Sequence, residues 1–130
     1  MNFTFKKEER LCSKKAFETL IASGTSVFCF PFKIILIKTD FPLNQSAQIA
    51  FSVPKRRFKK AHDRNLIKRR TKEAYRLIKP NLYQFLQAKG LRIQLLIVYV
   101  APKVMTYHEI ESKTKTALDS LMAIIEKDVK

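Results

Sequence analysis

From Lys55 to Lys79 the chain carries twelve basic residues and two acidic ones, Asp63 and Glu73, yet keeps apolar residues at helical spacing. Wound at about 100° per residue, the stretch sets Arg64, Lys68, Lys72 and Arg76 in steps of four along one side. Asn65 and Arg69 stand beside them. Leu66, Ile67, Ala74, Leu77 and Ile78 fall on the opposite side and are expected to face a sheet. Arg70 interrupts the apolar arc and should reach out from its margin. An ordinary solvated helix face mixes signs in i,i+4 pairs. This one repeats a single sign and so repels itself by about 0.2–0.5 kcal/mol per pair. A row of cations left in that state fits the phosphate backbone of a nucleic acid. Asn65, inside the row, can donate to a phosphate or bind a metal-bound water, and is equally at home as an exposed polar residue.

The stretch supplies +10 of the formal net charge of +15, in less than a fifth of 130 residues. From Tyr107 onward, by contrast, four basic residues meet five acidic ones, a balanced surface. The length suits one domain, residues 1–130. With 46% hydrophobic residues and ten Phe, the chain can form a core, which separates it from a disordered basic tail. The surplus charge must then lie on the surface, where it points to a polyanion: nucleic acid before an anionic membrane. Cys12 and Cys29 form no metal-ligand cluster with His62 and His108, which argues against zinc fingers and ribbons, and they read as reduced, small side chains in preference to a single disulfide. The first ten residues contain no apolar signal-peptide core, and the longest apolar run, Leu95 to Ala101, is too short to span a bilayer. A soluble, cytoplasmic protein is expected.

Ser13 reads as the N-cap of a helix through Ala16, Phe17, Leu20 and Ile21 that stops at Gly24. Val27 to Lys38 reads as one strand, with Phe28, Phe30, Phe32, Ile34 and Leu36 on one face and Cys29, Lys33, Ile35 and Ile37 on the other. Pro31 marks that strand as an edge or a bulge. A turn at Asp40–Asn44 leads to a second strand, Gln48 to Val53, so the two read as a hairpin. A helix from about Phe58 to Lys79 should end at Pro80, followed by a short helical segment, Asn81 to Lys89, closed by Gly90. Leu91 to Val100 is a strand with neighbours on both sides. Thr106-Tyr107-His108-Glu109 is a capping box opening the last helix, whose buried stripe is Ile110, Ala117, Leu118, Leu121, Ile124 and Ile125. The order α-β-β-α-β-α, with three helices and a single mixed sheet of three or four strands, predicts an α/β (α+β) two-layer sandwich.

The segment from Ser52-Val53-Pro54-Lys55-Arg56-Arg57 through Lys60-Ala61-His62-Asp63-Arg64-Asn65-Leu66-Ile67-Lys68-Arg69-Arg70 to Arg76 resembles the signature of the bacterial ribonuclease P protein component. That signature has Ser-Val-x-Lys-Lys/Arg on a strand and Lys-Ala-x-x-Arg-Asn-Arg-x-Lys-Arg-x-x-Arg-Glu on a helix. Lys7 to Leu11, Phe17 and Gly24-Thr25-Ser26 match its flanks. The resemblance implies a ribosomal protein S5 domain 2-like fold with a left-handed βαβ crossover, which ordinary handedness rules would not predict. It also implies a heterodimeric ribonucleoprotein with one RNA subunit, in which that RNA removes the 5′ leader of precursor tRNA using Mg²⁺ bound mainly by the RNA. Neither a membrane nor an organic cofactor is expected from the resemblance.

Carried over position by position, the resemblance assigns Lys55, Arg56, Lys60, Arg64, Asn65, Lys68, Arg69, Lys72 and Arg76 to the catalytic RNA. It assigns Phe17, Ile21, Lys33, Ile35 and Ser52 to the single-stranded leader, and places metal ions near Asn65. Leu66 replaces a family Arg, Lys72 replaces another, and Ile21 and Ile35 stand where leader-facing aromatics are common. No Ser-His-Asp or Cys-His pairing and no carboxylate pair is evident, so the protein alone is expected to be non-catalytic. Phe28, Phe30, Phe32 and Phe51 are expected in the core. Charge alone leaves open a structural ribosomal-RNA-binding protein. A DNA reader is disfavoured, because Asn65 is the one good base-reading residue on the helix and no helix-turn-helix precedes it.

Overall fold

A computed structural model of the chain describes residues 14–38 and 47–128, apart from the side chains of Lys14, Ala16, Phe17 and Asp128. The expected Ser13 cap, the Asp40–Asn44 turn, Cys12 and the Lys7–Leu11 entry lie outside the described residues. The elements run α1 (Lys14–Ser23), β1 (Thr25–Cys29), β2 (Phe32–Lys38), β3 (Ala47–Ser52), α2 (Ala61–Lys89), β4 (Ile93–Tyr99) and α3 (Tyr107–Asp128). The strands form one mixed sheet in the order β1-β2-β4-β3. β1 and β2 are antiparallel, as are β2 and β4, while β3 runs parallel to β4. β3, α2 and β4 therefore make a βαβ unit.

Two expectations about the strands are corrected. Val27 to Lys38 is two strands, because Phe30-Pro31 is a turn: proline offers no N–H to a ladder, and the chain folds back at it. Its carbonyl instead accepts the Val100 N–H at 2.8 Å. The expected hairpin between the first and second predicted strands is absent. β4 inserts between β2 and β3, and the hairpin is β1–β2.

One sheet face packs on α2 and α3. Phe32, Ile34, Leu36, Ile49, Leu95, Ile97 and Tyr99 share a core there with Ile67, Ala74, Tyr75, Leu82, Leu118 and Leu121. On the other face α1 seats Leu20 against Ile35 and Leu96. Gly24 ends α1 so close to β2 that an added Cβ would stand 2.4 Å from the Leu20 carbonyl and 2.6 Å from Ile35 Cγ2.

The helix expected to stop at Pro80 continues through it to Lys89. Pro80 forfeits one helical hydrogen bond. Buried Ala74, Tyr75 and Lys79 before it, and Leu82 and Leu86 after it, hold both halves to one core. Gly90, at φ 67°, caps the end in the left-handed region. The apolar arc is also displaced from its expected place. Ile67, Thr71, Ala74, Tyr75, Lys79, Leu82 and Leu86 are the buried positions, while Leu77 is 42% exposed. Lys79, counted with the surface cations in the sequence, is 2% exposed, its ammonium 5.7 Å from the centre of the Tyr83 ring. The Thr106–Glu109 box forms as expected: the Glu109 N–H donates to Thr106 Oγ1 and the Thr106 N–H to Glu109 Oε1, both at 3.2 Å. The Thr106 N–H and the Thr106 hydroxyl, both donating to Glu109 Oε1, hold the Glu109 carboxyl below its ordinary range.

Candidate nucleic-acid interface

The basic surface has two parts, a loop and a helix, joined by one side chain. Between β3 and α2, Phe58 anchors the loop in the core, its ring 5.8 Å from that of Tyr99. That anchoring leaves Lys55, Arg56, Arg57, Lys59 and Lys60 exposed around it. Arg64, one turn into α2, donates from Nη1 to the carbonyl oxygens of Phe58 at 2.6 Å and Lys59 at 3.0 Å. Arg64 thus secures the loop to the helix, a role its place in the cation row does not reveal.

Farther along α2, Asn65, Lys68, Arg69, Lys72, Glu73 and Arg76 line an open groove of about 340 Å³. The expected row is present, with one amendment. Glu73 Oε1 accepts from Arg76 Nη2 at 2.6 Å and Oε2 from Nε at 3.0 Å. This bidentate bond holds the Glu73 carboxyl below its ordinary range and raises Arg76. The cationic end at Lys68, Arg69 and Lys72 therefore differs from the locally neutralised end at Arg76. Arg70 reaches across to the connection between β4 and α3, donating from Nη1 to the Met105 carbonyl at 2.6 Å. Tyr99 secures the same connection, donating to the Lys103 carbonyl at 2.7 Å and accepting the Met105 N–H at 3.2 Å. Its phenol is raised chiefly by burial.

The residues around Asn65 do not fit a Mg²⁺ held by protein groups. Among the described residues no three of His, Cys, Asp and Glu are grouped as metal ligands. The one carboxylate in the groove, Glu73, is bonded to Arg76. Neighbouring cations oppose a divalent ion unless an anionic partner comes with it. His62 and His108 are both exposed.

On the sheet face that carries α1, the ladders align four residues in one cross-strand row: Phe28 opposite Lys33, Lys33 opposite Val98, Val98 opposite Ser52. Residues directly opposite share a face, so the expected leader residues Lys33 and Ser52 do lie together. Ile35 belongs to the next row and is buried beneath Leu20, so it is not an exposed lining residue. Ile21 is exposed on α1. Phe17 lies in α1, but its side chain is outside the described residues.

The expectation that Phe28 and Phe30 are core residues is overturned. They are 68% and 49% exposed, because the Pro31 turn resets the alternation between β1 and β2. Phe32 is core as expected, and Phe51 packs edge-on against Tyr75 with ring centres 5.9 Å apart. Read as a turn, Pro31 would have signalled Phe28 from the sequence. No helix among the described residues is long and apolar enough to cross a membrane.

Comparison with known proteins gives a consistent result. A family profile described as Ribonuclease P matches residues 5–122. The ribonuclease P protein component of Porphyromonas gingivalis is 26% identical over 121 residues, covering 89% of this chain and 85% of the relative. That of Buchnera aphidicola is 34% identical over 82 residues, 63% of this chain and 70% of the relative. In fold, the chain is similar to the RNase P protein of Staphylococcus aureus, with a TM-score of 0.68 at 19% identity over 87% of this chain and 94% of that one. It is also similar to that of Thermotoga maritima, with a TM-score of 0.64 at 18% identity over 86% and 96%.

Proposed function

This chain belongs to the ribonuclease P protein family, and we propose that it serves as the protein subunit of a ribonucleoprotein that removes the 5′ leader of precursor tRNA in the cytoplasm. One copy binds one ribonuclease P RNA through the loop of Lys55, Arg56 and Lys60 and the α2 groove of Asn65, Lys68, Arg69 and Lys72. The open sheet face, with Lys33 and Ser52, holds the leader. The RNA carries the hydrolysis and the Mg²⁺ it uses. The protein contributes affinity and position.

The observation that carries this reading is the presence of two chemically distinct surfaces meeting at the β3–α2 loop. One is a predominantly cationic groove, with Lys68, Arg69 and Lys72 unopposed at one end, suited to a folded phosphate backbone, where counterion release supplies affinity without base readout. The other is a mixed apolar and cationic sheet face suited to single-stranded RNA. A structural ribosomal-RNA-binding protein needs only the first.

Salt titrations of binding separate the surfaces. Lys68→Ala and Lys72→Ala should each weaken binding to the ribonuclease P RNA and reduce the salt slope by roughly one. Lys33→Ala should spare that binding and reduce the preference for precursor over mature tRNA. Identical behaviour of all three variants, with equal affinity for an unrelated ribosomal RNA fragment, would instead support the ribosomal reading.

A further inference from the structure

We propose that the row Phe28–Lys33–Val98–Ser52 is a track for single-stranded RNA across the sheet, ending in a base-stacking site on Phe28. The proposal rests on the ribonuclease P reading above and extends it, since the family resemblance assigns Lys33 and Ser52 but neither Val98 nor Phe28.

The ladders place the four residues side by side on four adjacent strands. Leu20 of α1 sits over the neighbouring row, on Ile35 and Leu96, and Val98, itself only partly buried, packs against that cluster. The track therefore runs along the margin of α1 and not beneath it. Ser52 is the last residue of β3 and leads directly to the loop carrying Lys55 and Arg56, so one end of the track opens at the RNA-binding surface. Three inter-strand steps separate that end from Phe28, roughly 14 Å. Lys33, exposed midway, offers a cation to a phosphate.

A single exposed apolar residue is unremarkable on a protein surface. Phe28 differs by its setting. Its strand neighbours Val27 and Cys29 pack toward the core, while Phe28 itself, 68% exposed, stands directly across from a lysine. An aromatic platform paired with a cation is the combination that single-stranded nucleic acid uses, and stacking there tolerates any base. A base reaching Phe28 must lie several nucleotides upstream of the base nearest the loop, so its contribution depends on leader length.

The test uses the protein assembled with its ribonuclease P RNA and a set of precursor tRNAs whose leaders lengthen one nucleotide at a time. Affinity is measured with Ca²⁺ in place of Mg²⁺ to slow cleavage. The wild-type protein should show a step in affinity once the leader is long enough to reach Phe28. Phe28→Ala should remove that step, a loss of about five-fold or more. It should leave short-leader precursors, mature tRNA and binding of the ribonuclease P RNA unaffected. Phe28→Trp should retain the step. Survival of the step in Phe28→Ala, or an equal loss for every substrate including mature tRNA, would overturn the track. A wild-type protein with no leader-dependent gain at all would overturn the proposed function and the track together.

Discussion

Arg64 Nη1 stands 2.6 Å from the carbonyl oxygen of Phe58 and is its hydrogen-bond donor. Phe58 is a core residue in a loop whose other side chains are mostly exposed cations, so this bond, with the second to Lys59, joins the loop to α2. Arg64 accordingly acts through its neighbours as well as by its own charge.

Arg64→Ala should lower stability by about 1–3 kcal/mol, since two carbonyls lose a charged donor. Its loss of RNA affinity should be non-additive with Lys55→Ala and Arg56→Ala, because the freed loop no longer presents those cations together. Arg64→Lys restores the charge but not the planar fork, and should recover less than half of the affinity. Urea denaturation and a double-mutant binding cycle check both parts. Full additivity would make Arg64 an independent phosphate contact.

Glu73 is the acidic interruption of the α2 groove. Glu73→Gln should release Arg76, tighten RNA binding and steepen its salt dependence, measured by binding at several salt concentrations. The pH dependence has a definite sign. Arg76 holds the carboxyl below its ordinary value of 4.5, so the folded state binds this proton less readily than the unfolded one. Any stabilisation from the pair is therefore present above that ordinary value and fades as pH falls through the lowered one. Wild-type RNA affinity should show no inflection from Glu73 between pH 6 and pH 8, readily seen in a pH series at fixed salt.

Lys79 and Lys72 are one pair of turns apart on the same basic helix and should behave oppositely. Lys79 is buried beside Tyr83, whereas Lys72 lines the groove. Lys79→Ala should cost roughly 0.5–3 kcal/mol of stability and leave the salt slope of RNA binding unchanged. Lys72→Ala should do the reverse. Thermal melting and binding isotherms on the two variants distinguish them.

The basic face was legible in the sequence because sign and spacing are local: Lys68, Arg69 and Lys72 share a groove simply by helical period. The Thr106–Glu109 box and the Gly90 cap were legible for the same reason. What depended on distant partners was not. Pro31 and Pro80 carry the same local instruction to interrupt, yet the chain turns at Pro31 and runs straight through Pro80. At Pro80, packing of Tyr75 and Leu82 on either side outweighs one lost hydrogen bond. The parallel pairing of β3 with β4 joins residues more than forty positions apart, such as Gln48 and Gln94, whose side chains bond at 3.1 Å, and no local pattern announces it. The face of Phe28 depends on where β1 ends, and the spacing of Arg64 shows its charge but not its hydrogen bonds to backbone.

Leader removal from precursor tRNA, followed at low Mg²⁺ with the cognate ribonuclease P RNA, tests the central claim most directly. Adding this protein to the RNA should accelerate cleavage at the 5′ end of the mature tRNA, while the protein alone should cleave nothing. Cleavage by the RNA that is unchanged on adding the protein, or cleavage by the protein without RNA, would contradict it.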